Sequence, residues 1–592
     1  MSATVLNNSS CIQHRMESTA TPLDLLTHSA ARTPSHPALE YLCVDGMGEP
    51  EVLSYEQLLG EVKNVVRALS AHGIQAHESV AIMLPFVPQA VSALIAASTV
   101  AVAFPVNLLL SAEALRNQLV LSGCRVVITM GPHPDLDVRA RLQVAIDAMT
   151  DAPLVVEIPV EAGSSEAMSW DEFLGHSDGL LPNSDADHVG MLIHTGGTTG
   201  LPKLARLTRR NVASASIMAA SGLGIGARER LLTGLPLFHV GGAIDALFAA
   251  LSVGGTVVFP SMFGMRSRRA IQEVWSIIER EKITLLAGVP TTLAAIVETP
   301  VDGAKLDGLR AVMTGGSPLA RDLFLRLQAK IEKPVCQLYG MTESSGIATA
   351  QLTSGQPVSH TTGKPVPGVE ICLGSIDGGF HPGAKGEILV RGPNVFRGYL
   401  TAEGVKGDPN GGWFQSGDLG EVTEDGELRV VGRSKDVIIR SGHNIDPQMI
   451  EDVAMEHPDV SQSAAVGMPD DYAGEVPVLY VVTCPGATVS VGELAKFINA
   501  RIAEPPARPK HVFLLDELPL TPFAKIARFR LRQLAVEHRA NELVIGLLSG
   551  ALVTCTDPAA KKIQIKSDAA ITQGQLDEIE KALAKLDLQL AD

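Results

Sequence analysis

Short aliphatic and β-branched runs recur along this chain with amphipathic stretches between them, and that alternation restricts the fold more than any other feature. VAIML at 80–84, RVVITM at 125–130, GTVVFP at 255–260, KITLLAG at 282–288 and LRAVMTGG at 309–316 read as buried strands. YEQLLGEVKNVVRALSAHG at 55–73 and RRAIQEVWSIIEREK at 268–282 repeat apolar residues three and four apart and read as the helices between them. Such alternation predicts an α/β fold with parallel sheets, because each crossover helix covers a sheet face.

Near residue 370 the pattern changes. EICLG, GEILVRG and ELRVVG are short strands separated by DGG, PGAKG and EDG turns, which predicts a smaller β-rich subdomain. After GRSKD at 432–436 a further strand–helix segment runs to about residue 540, the natural second domain. A hairpin (GALVTCT and KKIQIKS around DPAA) and a helix (QGQLDEIEKALAKLDLQL) follow. The expected division is a disordered tail over 1–21, a large N-terminal domain over 22–433, a small C-terminal domain over 434–540 and an extension over 541–592.

Residues 79–112 carry no charge and are long enough to cross a membrane. Pro85, Pro88 and Pro105 punctuate them, however, and polar residues are interleaved, so a buried helix followed by the strand AVAFPV explains them better. The 48 basic and 65 acidic residues leave a net charge of −17, which argues against a nucleic-acid partner but not against a small anionic ligand. Seven dispersed cysteines without metal spacing predict reduced thiols in a cytoplasmic protein.

Residues 194–203 read HTGGTTGLPK. Glycines let backbone N–H groups approach a ligand, and threonine hydroxyls with an ammonium add donors, a composition suited to a polyphosphate. The Walker pattern fails, since Leu201 and Pro202 separate Gly200 from Lys203 and Leu204 follows it. Taken alone, these residues leave two readings open, a flexible connection or another kind of phosphate loop.

Further motifs stand in order behind it: PLFHVGG (236–242), GGSPL (315–319), YGMTESSG (339–346), WFQSGDLGEVTEDGELRVVGRSKDVIIRSGHNIDPQMIE (413–451) and LPLTPFAKIAR (518–528). The series resembles the adenylate-forming superfamily of acyl-CoA synthetases, luciferases and peptide-synthetase adenylation domains, over about residues 22–535. The resemblance implies a large N-terminal domain holding the ATP and acyl sites and a small mobile α+β C-terminal domain. It also implies a phosphate loop with Thr195, Thr198, Thr199 and Lys203 as donors and Gly197 and Gly200 at its turns. Gly196 stands where the family has a hydroxyl residue and Leu204 where it has glycine, so looser phosphate gripping is expected.

By the same resemblance Tyr339 stacks on adenine, Gly340 passes beneath the base, Thr342 donates to the α-phosphate and Glu343 is the Mg²⁺ ligand. Gly315, Gly316 and Ser317 line the adenine pocket, while Asp418 and Arg433 contact the ribose. His239 lines the acyl and phosphate sites; a general-base role does not suit it, because a carboxylate substrate is already ionised. Lys525 is implied to reach the substrate carboxylate and α-phosphate, although Ala524 replaces the usual preceding glycine. Lys435 marks the hinge, and Gly442 lies beside a pantetheine channel.

The implied activity is an AMP-forming ligase using ATP, Mg²⁺ and CoA on a small-molecule carboxylic acid, with the look of a bacterial fatty-acyl-CoA synthetase. Small apolar residues over 240–255 suggest a fatty or alicyclic acid, with Asp245 either turned away or disfavouring a second carboxylate. An aryl-acid ligase or carrier-protein loader would share every nucleotide residue. A non-catalytic nucleotide-binding protein is supported only by the departures at Gly196, Leu204, Arg209 and Ala524.

Overall fold

The structure is a computed structural model. It describes residues 9–590 apart from 135, 159–166, 176–183, 196–202, 354–357, 434, 442, 522–525, 549–551, 558–561, 567–570, 585 and 587. Two nine-stranded sheets carry the N-terminal part. One runs Lys364–Pro365, Gly346–Ala350, Val335–Met341, Ala311–Thr314, Leu285–Ala287, Arg230–Thr233, Thr256–Phe259, Pro37–Tyr41, Glu51–Ser54. Its strands from Val335–Met341 to Pro37–Tyr41 pair in parallel, as the alternation requires. The other runs Gly404–Lys406, Tyr399–Thr401, Leu204–Thr208, Val189–His194, Val102–Pro105, Ser79–Met83, Cys124–Met130, Leu154–Ile158, Met168–Ser169.

The uncharged run at 79–112 falls into strand Ser79–Met83, helix Pro88–Val100 and strand Val102–Pro105. Twelve of the helix's thirteen residues are buried, so its lack of charge reflects the protein interior rather than lipid. Among the described residues no helix is long and apolar enough to cross a membrane. The stretch at 268–282 forms two helices, Arg268–Gln272 and Val274–Arg280, broken at Glu273.

The β-rich subdomain is an antiparallel sheet ordered Glu370–Leu373, Lys385–Arg391, Phe414–Val422, Leu428–Arg433. Strand Gly474–Thr483 is the hub of the C-terminal sheet, pairing with the edge strand Val460–Asp470 on one side and with Ile438–Arg440 and His511–Leu514 on the other, and helices Pro447–Met455 and Val491–Arg501 cover the sheet. None of the seven cysteines is in a disulfide.

Two expected boundaries need correction. The tail expected to be disordered holds helix Ser9–Ser18, in which Ile12 and Met16, one turn apart, are buried in the main core. The boundary at 540 falls inside helix Arg528–Leu547. Leu531 and Ala535 pack on the C-terminal sheet, whereas Val536, Ala540 and Val544 form a separate core with the hairpin Leu552–Asp557 and Lys562–Lys566 and helix Gln573–Ala584. One continuous helix therefore belongs to both cores.

Candidate active site

Strand ends and turns from three sheets bring Asp418, Arg433 and Tyr339 into one set of contacts and Glu343, Tyr399 and Lys203 into another. Leu419 and Gly432 are register partners, as are Asp418 and Arg433, so the antiparallel pairing itself sets Arg433 Nε 3.2 Å from Asp418 Oδ1. The other Asp418 oxygen accepts the Tyr339 hydroxyl at 2.8 Å. Burial, and after it the Asp418 charge, push the Tyr339 phenol well up, so it stays protonated as the donor.

Tyr339 lies in strand Val335–Met341, and the three-residue turn Thr342–Ser344 follows directly, placing Glu343 at its centre. Gly340 permits a close approach, but to its own partner strand: a Cβ there would meet the Gly346 carbonyl at 2.0 Å. Glu343 Oε1 accepts the Tyr399 hydroxyl, and the Lys203 ammonium stands 4.3 Å from the Tyr399 ring centroid. Lys435 stands near enough to Arg433 and Lys203 to feel their charge. Partial burial, then the adjacent Arg433, hold its pKa below the ordinary lysine value, with Lys203 adding to the effect. Lys203, Arg433 and Lys435 gathered on one side of the site suit a polyphosphate.

Strands Val189–His194 and Leu204–Thr208, on either side of the expected phosphate loop, pair antiparallel, and Thr195 N–H donates to the Lys203 carbonyl at 3.4 Å. Gly196, Gly197, Thr198, Thr199 and Gly200 lie outside the described residues, as do Gly442, Ala524 and Lys525. Thr195 Oγ1 is buried without a hydrogen-bond partner among the described residues, and so is Thr314 Oγ1 at the end of strand Ala311–Thr314. Buried hydroxyls left unsatisfied fit donors awaiting a ligand. Thr314 directly precedes GGSPL and is not among the residues that the sequence motifs single out. Gly315 packs on Leu338, where a Cβ would lie 2.6 Å from a side-chain carbon, and Gly316 has φ +81°. Ser317 is half-buried beside them.

His239 stands at the start of a π-helical segment, Gly241–Phe248, a form frequent at functional sites. Its Nδ1 accepts from Gly241 N–H at 3.1 Å, and its carbonyl accepts from Gly242 and Ala243. Asp245, in the same segment, turns to the strand behind the Glu343 turn and accepts from Ile347 N–H at 3.1 Å. Burial raises its carboxyl pKa to about 7.

Two of the departures have structural reasons. Leu204 is buried as a register partner of both His194 and Leu400. Arg209, 1% exposed, donates to the Asp185 carbonyl at 3.0 Å. Glu343 fits a magnesium site. Its Oε2 takes no hydrogen bond among the described residues, and Mg²⁺ characteristically binds one or two carboxylates together with phosphate oxygens. Among the described residues no cluster of three or more His, Cys, Asp or Glu could hold a metal by itself.

Comparison with known proteins agrees with this geometry. Residues 26–400 match the model of the AMP-binding enzyme family and residues 449–525 that of the AMP-binding enzyme C-terminal domain. The chain is 34% identical over 501 residues to indoleacetate–CoA ligase of Aromatoleum aromaticum, covering 83% of this chain and 94% of that one. It is 33% identical over 515 residues to marinolic acid–CoA ligase of Pseudoalteromonas sp., covering 83% and 78%. Among solved structures it resembles o-succinylbenzoate CoA synthetase of Bacillus subtilis in complex with its acyl-adenylate intermediate, with TM-score 0.68, 28% identity and coverage of 86% and 97%. With both domain models matched in order around the Asp418–Tyr339–Glu343 site, the chain belongs to the AMP-binding enzyme family and is an AMP-forming acid–CoA ligase that uses ATP, Mg²⁺ and CoA.

Proposed function

We propose that the acid activated by this chain is apolar, fatty or alicyclic. The observation that supports this is the segment Gly242–Val253, apolar apart from Asp245 and Ser252, which leads away from His239 and joins the strand after the Glu343 turn through Asp245 and Ile347. An aryl acid is the second reading, favoured by the indoleacetate and o-succinylbenzoate that related enzymes are named for.

In this reading the acid carboxylate attacks the α-phosphorus of ATP, its oxygen forms the new P–O bond, and pyrophosphate leaves. Asp418 and Arg433 orient the ribose, Tyr339 the adenine side, and Lys203 with Lys435 offsets phosphate charge. Glu343 would hold Mg²⁺, which when bound neutralises phosphate charge. Thr342 and Lys525 act at the α-phosphate. The C-terminal domain then turns about Lys435, withdrawing Lys525 and bringing Gly442 beside the pantetheine, and the CoA thiolate attacks the acyl carbonyl to expel AMP.

The test is turnover with MgATP and a panel of fatty, alicyclic and aryl acids, each with and without CoA, read by mass spectrometry. Acyl-CoA and AMP formed together from fatty or alicyclic acids support the reading. Preference for aryl acids transfers the assignment to the second one, and acyl-AMP without thioester points to a carrier-protein acceptor.

A further inference from the structure

Tyr399 touches two side chains of the site at once, yet it belongs to none of the motifs from which the site was read. Its hydroxyl donates to Glu343 Oε1, and its ring lies under the Lys203 ammonium, 4.3 Å from the centroid. Its own position is held from several sides. It pairs with Ala205 on one neighbouring strand and Lys406 on the other. The Phe396 ring packs edge-on against it at 4.8 Å, and Phe396 N–H donates to the Glu343 carbonyl at 2.9 Å. The turn that carries Glu343 and the strand that carries Tyr399 are thus tied by main chain as well as side chain.

A phenol hydroxyl bound to one oxygen of a carboxylate fixes its rotation and leaves the other oxygen pointing in a set direction. The ring face attracts the ammonium through its quadrupole, limiting where a long, flexible lysine can go. We propose that Tyr399 is a positioning residue that orients Glu343 toward a divalent cation and holds Lys203 beside the same phosphates. The proposal rests on the nucleotide site described above and extends it to a residue that pre-sets both of its charged arms before ligand arrives.

The experiment measures Mn²⁺, as the divalent probe, by electron paramagnetic resonance on the full-length protein with a non-hydrolysable ATP analogue. Metal-free affinity for the analogue is measured in parallel by calorimetry. Tyr399→Phe keeps the ring, its packing on Phe396 and the Lys203 contact, and removes only the hydroxyl. It should weaken Mn²⁺ in the ternary complex about 10- to 100-fold, the usual loss for an outer partner of a metal ligand. Metal-free analogue affinity should stay within about twofold, because Lys203 keeps its ring.

Tyr399→Ala should weaken both. In a Glu343→Gln background, Tyr399→Phe should have no further effect on Mn²⁺. Wild-type Mn²⁺ affinity in Tyr399→Phe overturns the proposal, as does an equal loss of metal-free binding or an undiminished effect without Glu343. A wrong acid assignment would appear separately, as failed turnover with these binding results intact.

Discussion

Tyr339 donates its hydroxyl hydrogen to Asp418 across 2.8 Å, and each of the two residues is only 8% exposed. With Arg433 on the other oxygen, the carboxylate is held from two directions before any ribose reaches it. A buried carboxylate held by one hydrogen bond and one ion pair is fixed in orientation, and orientation is what recognition of a vicinal diol needs.

Tyr339→Phe should therefore loosen the nucleotide site without emptying it. Losing one hydrogen bond to a charged group should cost about 1.5–3 kcal/mol of stability and raise the KM for ATP roughly tenfold, with the KM for the acid little changed. Steady-state kinetics and urea unfolding check both parts. A rise confined to the acid KM would place Tyr339 elsewhere.

The two half-reactions should separate at Lys525. Lys525→Ala should slow adenylation about 10²–10³-fold, a typical loss for one charge-stabilising donor, and leave thioester formation from supplied acyl-AMP largely intact. Equal losses in both steps would show that the division of labour proposed for this lysine is wrong.

Arg528 grips Glu451 with both terminal nitrogens, while Ala465 N–H donates to Glu451 and the Ala465 carbonyl accepts from Arg528. Beside this clasp, Ala527 N–H donates to the Pro519 carbonyl at 2.8 Å. Glu451→Ala leaves a buried guanidinium without its counter-charge and should destabilise the C-terminal domain by about 3–5 kcal/mol, measured by urea unfolding. The double replacement Glu451→Leu with Arg528→Met should recover part of that loss, since it removes both charges together.

Asp245 should make stability depend on pH. Burial raises its carboxyl from an unfolded value of about 3.9 to about 7, partly offset by the Ile347 N–H. Between these values the folded chain keeps a proton that the unfolded chain has lost, so this residue's contribution falls as pH rises from about 4 to about 7 and is flat above. Asp245→Asn has no such proton. Relative to wild type it should gain stability across that window and level off above it, as chemical denaturation at a series of pH values would show. A constant difference from pH 4 to 8 would contradict the raised carboxyl. Asp446 and Glu61, also raised to about 7 by burial, act with the same sign and keep part of the slope in the variant.

Much of the architecture was legible because it is local. Strands such as Ser79–Met83 and helices such as Tyr55–Ala71 follow from apolar periodicity and from caps such as Ser54 with Gln57, all within a few residues of one another. The β-rich subdomain announced itself through its turns. Helix Ser9–Ser18 did not, because its buried positions are too few to set a period and its stability comes from packing on helix Arg209–Leu223. Nor did the continuity of helix Arg528–Leu547, since a helix shared by two cores carries no sign of which half serves which.

By itself the sequence determined the α/β class and the order of the nucleotide motifs, since apolar periodicity and short-range spacing suffice for these. Only the tertiary structure decided which residues meet. Tyr399 reaches Glu343 across 56 residues of chain, Tyr339 reaches Asp418 across 79, and Arg528 reaches Glu451 across 77. Such pairs depend on sheet register and on how strands from separate sheets converge, and both are settled by packing of the whole chain.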